Sequence, residues 1–540
     1  MTATTPDSLL CKSIESLRFQ CSYTQALPED PSSDPNPRQV DLASYSRIMP
    51  EPAPNPRLIA YSSVLLGELG LAPEAAWHPS FLQVFSGQRI LPGMEPHACR
   101  YGGHQFGHWA GQLGDGRVVN LGECIPPSGP PQMLQLKGAG RTPYSRFADG
   151  KAVLRSSLRE FLCSEAMHHL GIPTTRALSL VTTGEEVIRD LLYDGHPRSE
   201  PGAIVCRVAP SFLRFGHFEI HAARGEEDSL RQLARYALNL SAGRPIDSPT
   251  PSDYATWFEG VCSRTAELMI AWQRVGFVHG VMNTDNMSVL GLTIDYGPYG
   301  WLEAYDPAWT PNTTDAAGRR YRFGNQPDVA LWNLSCLAGA LLSLVGDKAP
   351  LLEALETFTR TFKGGWQRTV LEKIGLSHCS PETQALVDDL FSLLEAAEMD
   401  MTLFFRLLMA STHERDLQSP CPESADLASI SYRQEPFDES MRARWRAWFS
   451  AYHGMRMAES ASPEAAMTRM QNANPKFILR NYLVQEAIED AEAGDLGRIR
   501  RLYERLQSPY ADHPDDGRWC QKRPPWADHK PGCSMLSCSS

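Results

Sequence analysis

Apolar positions along the chain predict strands in its first half and helices in most of its second half. Short apolar runs bounded by turn residues predict strands within 117–121, 131–137 and 203–219. Apolar residues recur every three or four positions over 151–170, which predicts a helix that Gly171 and Pro173 end. The same helical period returns over 253–275, 327–412 and 438–508.

A glycine-rich segment, YGGHQFGHWAGQLGDGR, precedes the first predicted strand. Glycines let backbone N–H groups approach phosphate closely, and Arg117 adds a planar set of donors suited to phosphate oxygens. Taken alone, such a turn is also typical of ordinary loops. His104 and His108 differ from the zinc motif HExxH because Gln105 stands where the glutamate is required, so we do not predict a zinc site from this motif.

The second predicted strand ends at Lys137, directly before the helix over 151–170. A buried lysine without a partner is strongly unfavourable, so we expect an ion pair with Glu160, and Glu165 is the competing partner. Arg207 and Arg214 lie among apolar residues and therefore require anionic partners. Those partners are either nucleotide phosphates or nearby structural glutamates.

The segment HGVMNTDNMSVLGLTIDYG carries three candidate ligands for a metal-bound phosphate, Asp285, Asn286 and Asp295. An Asn and an Asp at the two ends of a short hairpin bind Mg²⁺ from one side in the kinase catalytic loop and its Asp-Phe-Gly motif. Asn- and Asp-rich turns around a buried strand are the alternative interpretation.

The kinase loop pattern H-R-D-x-x-x-x-N aligns with His279 and Asn286, which places the catalytic aspartate position at Val281. Valine accepts no proton. The chain is therefore either a pseudokinase or an enzyme that uses Asp285 as its base.

Composition limits the function classes. The 540 residues carry a net charge of −12, which argues against general nucleic-acid binding. The mean hydropathy is −0.32, and no run approaches the roughly 20 apolar residues of a membrane span, so we expect no membrane association. We expect a monomer.

Cysteine usage and the N-terminal residues bear on the compartment. The 13 cysteines include no CxxC pair, which favours a reducing compartment. The first twenty residues resemble neither a signal peptide nor an Arg-rich transit peptide. We therefore expect a cytoplasmic protein, with a mitochondrial location as the alternative if the chain is eukaryotic.

The order of strands, glycine turn, lysine, acidic helix, helices and metal-binding segment predicts an α+β fold of the bilobed protein-kinase-like type. It has a β-rich N-lobe with one key helix and a helical C-lobe. We expect an N-terminal extension over 1–90, the N-lobe over 91–220, the C-lobe over 221–415, and a C-terminal helical region with a cysteine-bearing tail over 416–540.

Several segments are long enough to carry a specific family resemblance: YGGHQFGHWAGQLGDGR, QLKGAGRTPYSRFADGKAVLRSSLREFLCSEAM, HGVMNTDNMSVLGLTIDYGP, NPKFILRNYL and the terminal CSS. In these segments the chain resembles the selenoprotein O family, the kinase-like protein adenylyltransferases or AMPylators, as a cysteine-containing member. The resemblance extends from about residue 50 to the end.

This resemblance implies that ATP binds in a flipped orientation and that AMP is transferred to Ser, Thr or Tyr hydroxyls of proteins, the enzyme itself included. It implies Asp285 as the proton acceptor, Asn286 and Asp295 as ligands of Mg²⁺, with Mn²⁺ as an alternative, and Glu160 as the partner of the nucleotide-binding lysine. The residues implied to contact nucleotide are Gly114, Gly116, Arg117, Lys137, Asp149, Gly150, Arg207, Arg214 and Asp295.

The terminal Cys538 stands where family members carry selenocysteine or cysteine. Some relatives carry a cysteine in the activation segment that could pair with it, but this chain has Pro311 at that point. Cys533 is the nearest alternative partner. Redox control through the tail is therefore a hypothesis.

Two other functions fit the same residues. One is ordinary phosphoryl transfer to a protein or a small molecule. The other is a non-catalytic ATP-binding pseudokinase scaffold, which Val281 suggests. The intact set of Asp285, Asn286 and Asp295 argues against the scaffold, because a scaffold has little need for both metal ligands.

Overall fold

The computed structural model describes residues 11, 13–191, 193–413, 424–459 and 462–537. Its strands are β1 Phe19–Gln20, β2 Glu29–Asp30, β3 Tyr45–Arg47, β4 Arg57–Tyr61, β5 His97–Cys99, β6 His104–Gln105, β7 His108–Trp109, β8 Val118–Cys124, β9 Gln132–Lys137, β10 Ala152–Val153, β11 Arg176–Arg189, β12 Arg198–Ala209, β13 Phe277–Val278 and β14 Gly300–Trp301.

Helices dominate the second half of the chain, as its periodicity predicts. They are α1 Ser22–Ala26, α2 Ser63–Glu68, α3 Pro79–Phe85, α4 Leu154–His169, α5 Phe215–Ala223, α6 Glu227–Ala242, α7 Pro251–Val275, α8 Gln326–Val345, α9 Ala349–Lys373, α10 Pro381–Ala396, α11 Met401–His413, α12 Ser424–Ser429, α13 Glu439–Ala458, α14 Pro463–Ala473, α15 Asn481–Glu492, α16 Gly497–Leu506 and α17 Asp516–Trp519.

One large sheet runs in the order β2-β3-β5-β8-β9-β12-β11-β4, and β1 and β10 pair at its sides with β8 and β12. The predicted strands around 117–121 and 131–137 are β8 and β9, an antiparallel pair in which Val118 lies opposite Lys137. The stretch predicted as an N-terminal extension supplies β1 to β4, so the extension and the predicted N-lobe share one sheet. The predicted domain boundaries themselves stay predictions.

Helix α4 packs on β11 and β12 on one side and on α15 and α16 on another. Nearly all of its side chains are buried, and the apolar ones form the stripe that the sequence predicts. Because α4 lies against the sheet, its acidic side chains can reach the strand ends, where Lys137 is placed.

Helix α7 leads into the segment predicted to bind metal. Thr250 begins the helix with a capping box, and Gly276, in a left-handed conformation at φ 73°, ends it. The chain then enters β13, which pairs with β14. The predicted short hairpin between Asn286 and Asp295 is not regular, because Ser288 and Thr293 form isolated bridges with other parts of the chain.

By length and hydropathy alone, one helical stretch in the described part of the chain could cross a membrane, Phe323–Val345. Buried core helices pass the same test. Helix α8, which makes up most of this stretch, packs against α5, α7 and α9 and buries Leu334, Leu337 and Leu341 completely. Its packing accounts for its apolar composition.

Candidate active site

One cavity of about 670 Å³ gathers the residues predicted to contact nucleotide or metal. A slightly larger cavity of about 780 Å³ lies between β12 and α15 and lacks both the glycine turn and the metal-binding segment, so chemistry rather than size locates the site. The predicted residues that line the 670 Å³ cavity are Gly114, Gly116, Arg117, Lys137, Asp149, Gly150, Arg207, Arg214, Asp285, Asn286 and Asp295.

The glycine turn is held closely against a second loop. A Cβ atom on Gly114 would lie 2.5 Å from the Tyr144 ring, and one on Gly116 would lie 2.8 Å from the Tyr144 carbonyl oxygen. Gly150 has φ +74°, and its Cβ would lie 2.2 Å from the Gly140 carbonyl oxygen. These glycines therefore bring two loop backbones together at one side of the cavity.

Lys137, Glu160 and Arg207 form a buried charge cluster at the back of the cavity. Lys137 Nζ lies 2.6 Å from Glu160 Oε2, and Arg207 Nη1 lies 3.0 Å from Glu160 Oε1. Glu165, the competing partner, instead binds Arg176 at 2.8 Å. Burial lowers the pKa of Lys137, and the carboxylates of Glu160 and Asp295 act in the opposite direction.

Asp295 lies where the two arginines meet. Arg207 and Arg214 each donate to one of its carboxylate oxygens, and Lys137 Nζ is 3.6 Å away. Burial acts to raise the pKa of Asp295, but Arg214, Arg207 and Lys137 outweigh it and hold the pKa well below its ordinary value. Asp295 is thus ionised, in a left-handed backbone conformation at φ 57°.

Asp285 is buried and differs sharply from Asp295 in its environment. Burial raises its pKa to about 7, against the opposing effect of Arg214. Gln105 Nε2 donates to Oδ2 at 3.2 Å, while Oδ1 has no hydrogen-bond partner in the described part of the chain. A carboxylate with a pKa near neutrality is suited to accept a proton from a hydroxyl.

The donor set beside Asp285 fits a hard divalent cation. Asn286 Nδ2 donates to the Val281 carbonyl oxygen at 3.0 Å, which leaves Oδ1 for another partner. Together with the carboxylate of Asp295, it forms a pair of oxygen ligands on one wall of the cavity. Oxygen ligands of this kind suit Mg²⁺ or Mn²⁺.

His279 couples the two halves of the metal-binding segment. Its Nε2 donates to the Ile294 carbonyl oxygen at 2.8 Å, and its ring stacks on Trp272 of α7. The residue after Ile294 is Asp295. The histidine of the kinase-like pattern therefore makes a structural contact that positions the aspartate.

Arg117 and Asp149, both predicted to contact nucleotide, differ in whether their side chains already have protein partners. The Arg117 side chain forms no hydrogen bond or ion pair with any residue in the described ranges, so its guanidinium is free for an anionic ligand. Asp149 instead accepts two hydrogen bonds of 2.8 Å from Arg189. The sequence analysis did not predict that Arg189 and Gln105 line the cavity. Only Gln105 could have been suspected, because it lies in the glycine-rich segment.

The tail reaches the segment that contains Pro311. Leu536 N donates to the Pro311 carbonyl oxygen at 3.2 Å, and Thr313 N donates to the Leu536 carbonyl oxygen at 2.7 Å. Cys533 is buried and unpaired, and Cys538 lies outside the described residues.

Comparison with known proteins identifies the family. The family model described as "Protein adenylyltransferase SelO" matches residues 34–507. Chains named "Protein nucleotidyltransferase YdiU" are similar along nearly their whole length. The one from Xanthomonas campestris pv. campestris is 54% identical over 530 residues, which cover 97% of this chain and 99% of the relative.

Relatives of the same name from other organisms are similar to this chain to about the same degree. The one from Nitrosospira multiformis is 52% identical over 545 residues, covering 97% of this chain and 96% of the relative. The one from Methylobacillus flagellatus is 49% identical over 524 residues, which cover 97% of this chain and 100% of the relative. The chain therefore belongs to the SelO family of protein adenylyltransferases, enzymes that transfer a nucleotide from ATP to protein.

Proposed function

We propose that this chain binds ATP with the triphosphate directed inward and transfers AMP to Ser, Thr or Tyr hydroxyls of proteins. The observation that carries the proposal is the charge of the cavity: Arg117, Lys137, Arg207 and Arg214 all line it. Sites of terminal phosphoryl transfer place a lysine, metal ions and in some classes one arginine around the phosphates. Arg117, which has no partner among the described residues, would hold the β and γ phosphates together with the three cations that also pair with Glu160 or Asp295, and the α phosphate would face the acceptor.

Within this arrangement each residue has a distinct part. Asp285 accepts or orients the proton of the acceptor hydroxyl, because its buried carboxyl is poised to change charge near pH 7. Asn286 and Asp295 would hold Mg²⁺, with Mn²⁺ as an alternative, and the ion would neutralise charge on the leaving pyrophosphate. Arg207 and Arg214, which bind Asp295, orient that carboxylate.

We also propose the bilobed kinase-like arrangement for this fold, with the cavity between a sheet-bearing lobe and a helical lobe. What supports it is the origin of the lining residues. Lys137 and Arg207 come from strands of the large sheet, whereas Asp285 and Asp295 follow α7. A protein kinase assembles its nucleotide site from the same two sources.

The deciding experiment supplies ATP labelled at the α or the γ phosphorus, with Mg²⁺ and a generic protein acceptor. Adenylyl transfer labels the acceptor from the α position only and adds the mass of one AMP, and the label disappears in Asp285→Asn and in Asp295→Asn. The exposed Asp388→Asn is the matched control and should retain transfer. Label from the γ position only would overturn the proposal in favour of phosphoryl transfer.

The ATP-binding scaffold makes a different prediction, motivated by Val281 at the kinase base position. It predicts stabilisation by ATP that persists in Asp285→Asn, with no transfer from either label. The raised pKa of Asp285 favours an enzyme over a scaffold, because a scaffold needs no group with a pKa near 7 beside its metal ligands.

The remaining expectations are also proposals: a monomer, a cytoplasmic or mitochondrial location, modification of the enzyme by itself, and redox control through Cys538. Cysteine usage and the character of the first twenty residues support the cytoplasmic location, and the monomer is the default expectation. Light scattering and cell fractionation test them, and activity of Cys538→Ser that no longer responds to thiol reagents would support redox control. An unchanged response would count against it.

A further inference from the structure

A second cluster of metal-binding side chains lies beside the active site but outside its cavity. His104 on β6, Glu219 on α5 and Cys336 on α8 each offer one ligand atom, and these atoms lie within 4.8 Å of one another. Three separate elements of the chain therefore converge on one point. We call these residues the His-Glu-Cys cluster.

Glu219 is the buried acid of the cluster, with 4% of its surface exposed. Its Oε1 lies 2.8 Å from His104 Nδ1, and its Oε2 accepts a hydrogen bond from Thr284 Oγ1. In the described part of the chain no lysine or arginine forms an ion pair with it. A buried carboxylate without a fixed cation is unfavourable unless a cation is supplied.

The kind of donor decides which cation fits. An imidazole nitrogen, a carboxylate oxygen and a thiolate sulfur suit zinc, whereas Mg²⁺ prefers oxygen ligands alone. The His104 ring is also held in place, with ring centroids 5.2 Å from Trp109 and 5.5 Å from Trp332. Partial exposure of His104 and Cys336 leaves a route for the ion and for a water as fourth ligand.

We propose that the His-Glu-Cys cluster binds one Zn²⁺ ion, separately from the metal of the nucleotide site. Binding displaces the thiol proton of Cys336 to solvent and requires the neutral His104 tautomer that carries its proton on Nε2. The motif HQFGH contributes a single zinc ligand, since His108 is on the exposed strand β7 and is not part of the cluster.

The cluster is connected to the catalytic segment. Thr284 Oγ1 accepts from His104 N at 2.7 Å and donates to Glu219, and the next residue is Asp285. An ion that fixes Glu219 and His104 therefore also fixes the hairpin of β6 and β7 against the base. The zinc is a positioning element, because none of its ligands lines the nucleotide cavity.

Cobalt(II) substitution tests the site without relying on activity. The purified chain is stripped with chelator and titrated with Co²⁺, and a thiolate-to-cobalt charge-transfer band in the near ultraviolet should grow to one equivalent and disappear on adding Zn²⁺. The band should be absent in Cys336→Ser. Cys379→Ser, at an exposed cysteine elsewhere, is the matched control and should retain it.

A second measurement guards against a variant that fails to fold. Zinc content by mass spectrometry and affinity by calorimetry should fall at least tenfold in Cys336→Ser and in Glu219→Gln, with circular dichroism unchanged. A charge-transfer band that survives in Cys336→Ser, or the absence of any such band in the unaltered chain, would overturn the proposal. Because neither measurement needs turnover, failure here leaves the adenylyltransferase proposal unaffected.

Discussion

Asp285 and Asp295 are ten residues apart and line one cavity, yet their surroundings drive their ionisation in opposite directions. Asp295 accepts from two arginines, and its pKa lies well below the ordinary value. Among the described residues Asp285 has one side-chain donor, Gln105 at 3.2 Å, and a buried oxygen without a partner, and its pKa rises to about 7. The two environments thus hold one carboxylate ionised and let the other change charge near pH 7, which supports the ligand role proposed for Asp295 and the base role proposed for Asp285.

The raised pKa of Asp285 predicts the pH dependence of transfer. Only the ionised carboxylate accepts a proton, so kcat/KM should be constant well above pH 7 and fall as the pH decreases through about 7. One unit below the pKa the rate should be about tenfold lower. Asp285→Asn should lower kcat by about 10²- to 10⁴-fold. A profile that stays flat from pH 5 to 8 would contradict this role.

Glu160 carries a different prediction, one of stability. Glu160→Gln removes one of the two carboxylates beside buried Lys137 and Arg207 and leaves only Asp295, so the free energy of unfolding should decrease by about 3–5 kcal/mol. Urea denaturation measures it. Glu439→Gln removes an exposed carboxylate that pairs with Arg446, and it should leave the midpoint nearly unchanged. Equal effects of the two variants would mean that the buried cluster contributes little.

At the scale of elements, strand register assembles the site. On β12, Val205 lies opposite Lys137, and Arg207 lies opposite Gln135. Side chains two residues apart share a face of the sheet, so Lys137, Gln135 and Arg207 all point toward α4 and the cavity. Arg207 then donates to both Gln135 and Glu160. A one-residue slip of β12 would remove it from this face.

The close approach of two loops at Gly150 predicts how a substitution there affects ATP binding. Gly150→Ala adds a Cβ that would lie 2.2 Å from the Gly140 carbonyl oxygen, so the loops must separate and ATP binding should weaken at least tenfold. Gly129→Ala is the matched control, because Gly129 also has positive φ but no neighbour within 4 Å of the added atom. Its effect reports backbone strain alone, about 1–2 kcal/mol.

Calorimetric titration with a non-hydrolysable ATP analogue, alongside thermal unfolding of both variants, makes the comparison. If Gly150→Ala and Gly129→Ala bound the analogue equally well, the close loop approach would have no part in nucleotide binding.

At the scale of the whole molecule, the tail ties distant parts of the chain together. Asn481 Nδ2 of α15 donates to the Cys533 carbonyl oxygen at 3.0 Å, and Ser537 Oγ donates to the carbonyl oxygen of Leu191. Leu536 pairs with the segment around Asn312, whose own side chain donates to the Gly280 carbonyl oxygen. The tail therefore contacts the segment that neighbours His279.

Removal of residues 531–540 should release this segment. The amide of Thr313, which donates to the Leu536 carbonyl oxygen, should exchange with deuterium at least tenfold faster in the truncated chain. A shorter truncation that removes only 538–540 keeps Leu536 and is the control. Unchanged exchange at Thr313 in the longer truncation would show that the tail does not hold this segment.

The sequence by itself determined which residues line the cavity and the order of strands and helices around it. The sequence shows these residues because their patterns are local: glycines at close turns, Lys137 at a strand end and the His279–Gly297 segment. The family resemblance added the roles proposed for Asp285 and Asp295, which stay predictions, and the family itself is confirmed by the family model that matches the chain.

Only the tertiary structure decided which of these groups touch. Glu160 and Glu165 are five residues apart on one helix, which places them roughly 140° apart around its axis, and periodicity alone left both as partners for Lys137. Packing of α4 on the sheet turns Glu160 toward the lysine and Glu165 toward Arg176. Such choices depend on contacts between residues far apart in sequence, which local pattern does not encode.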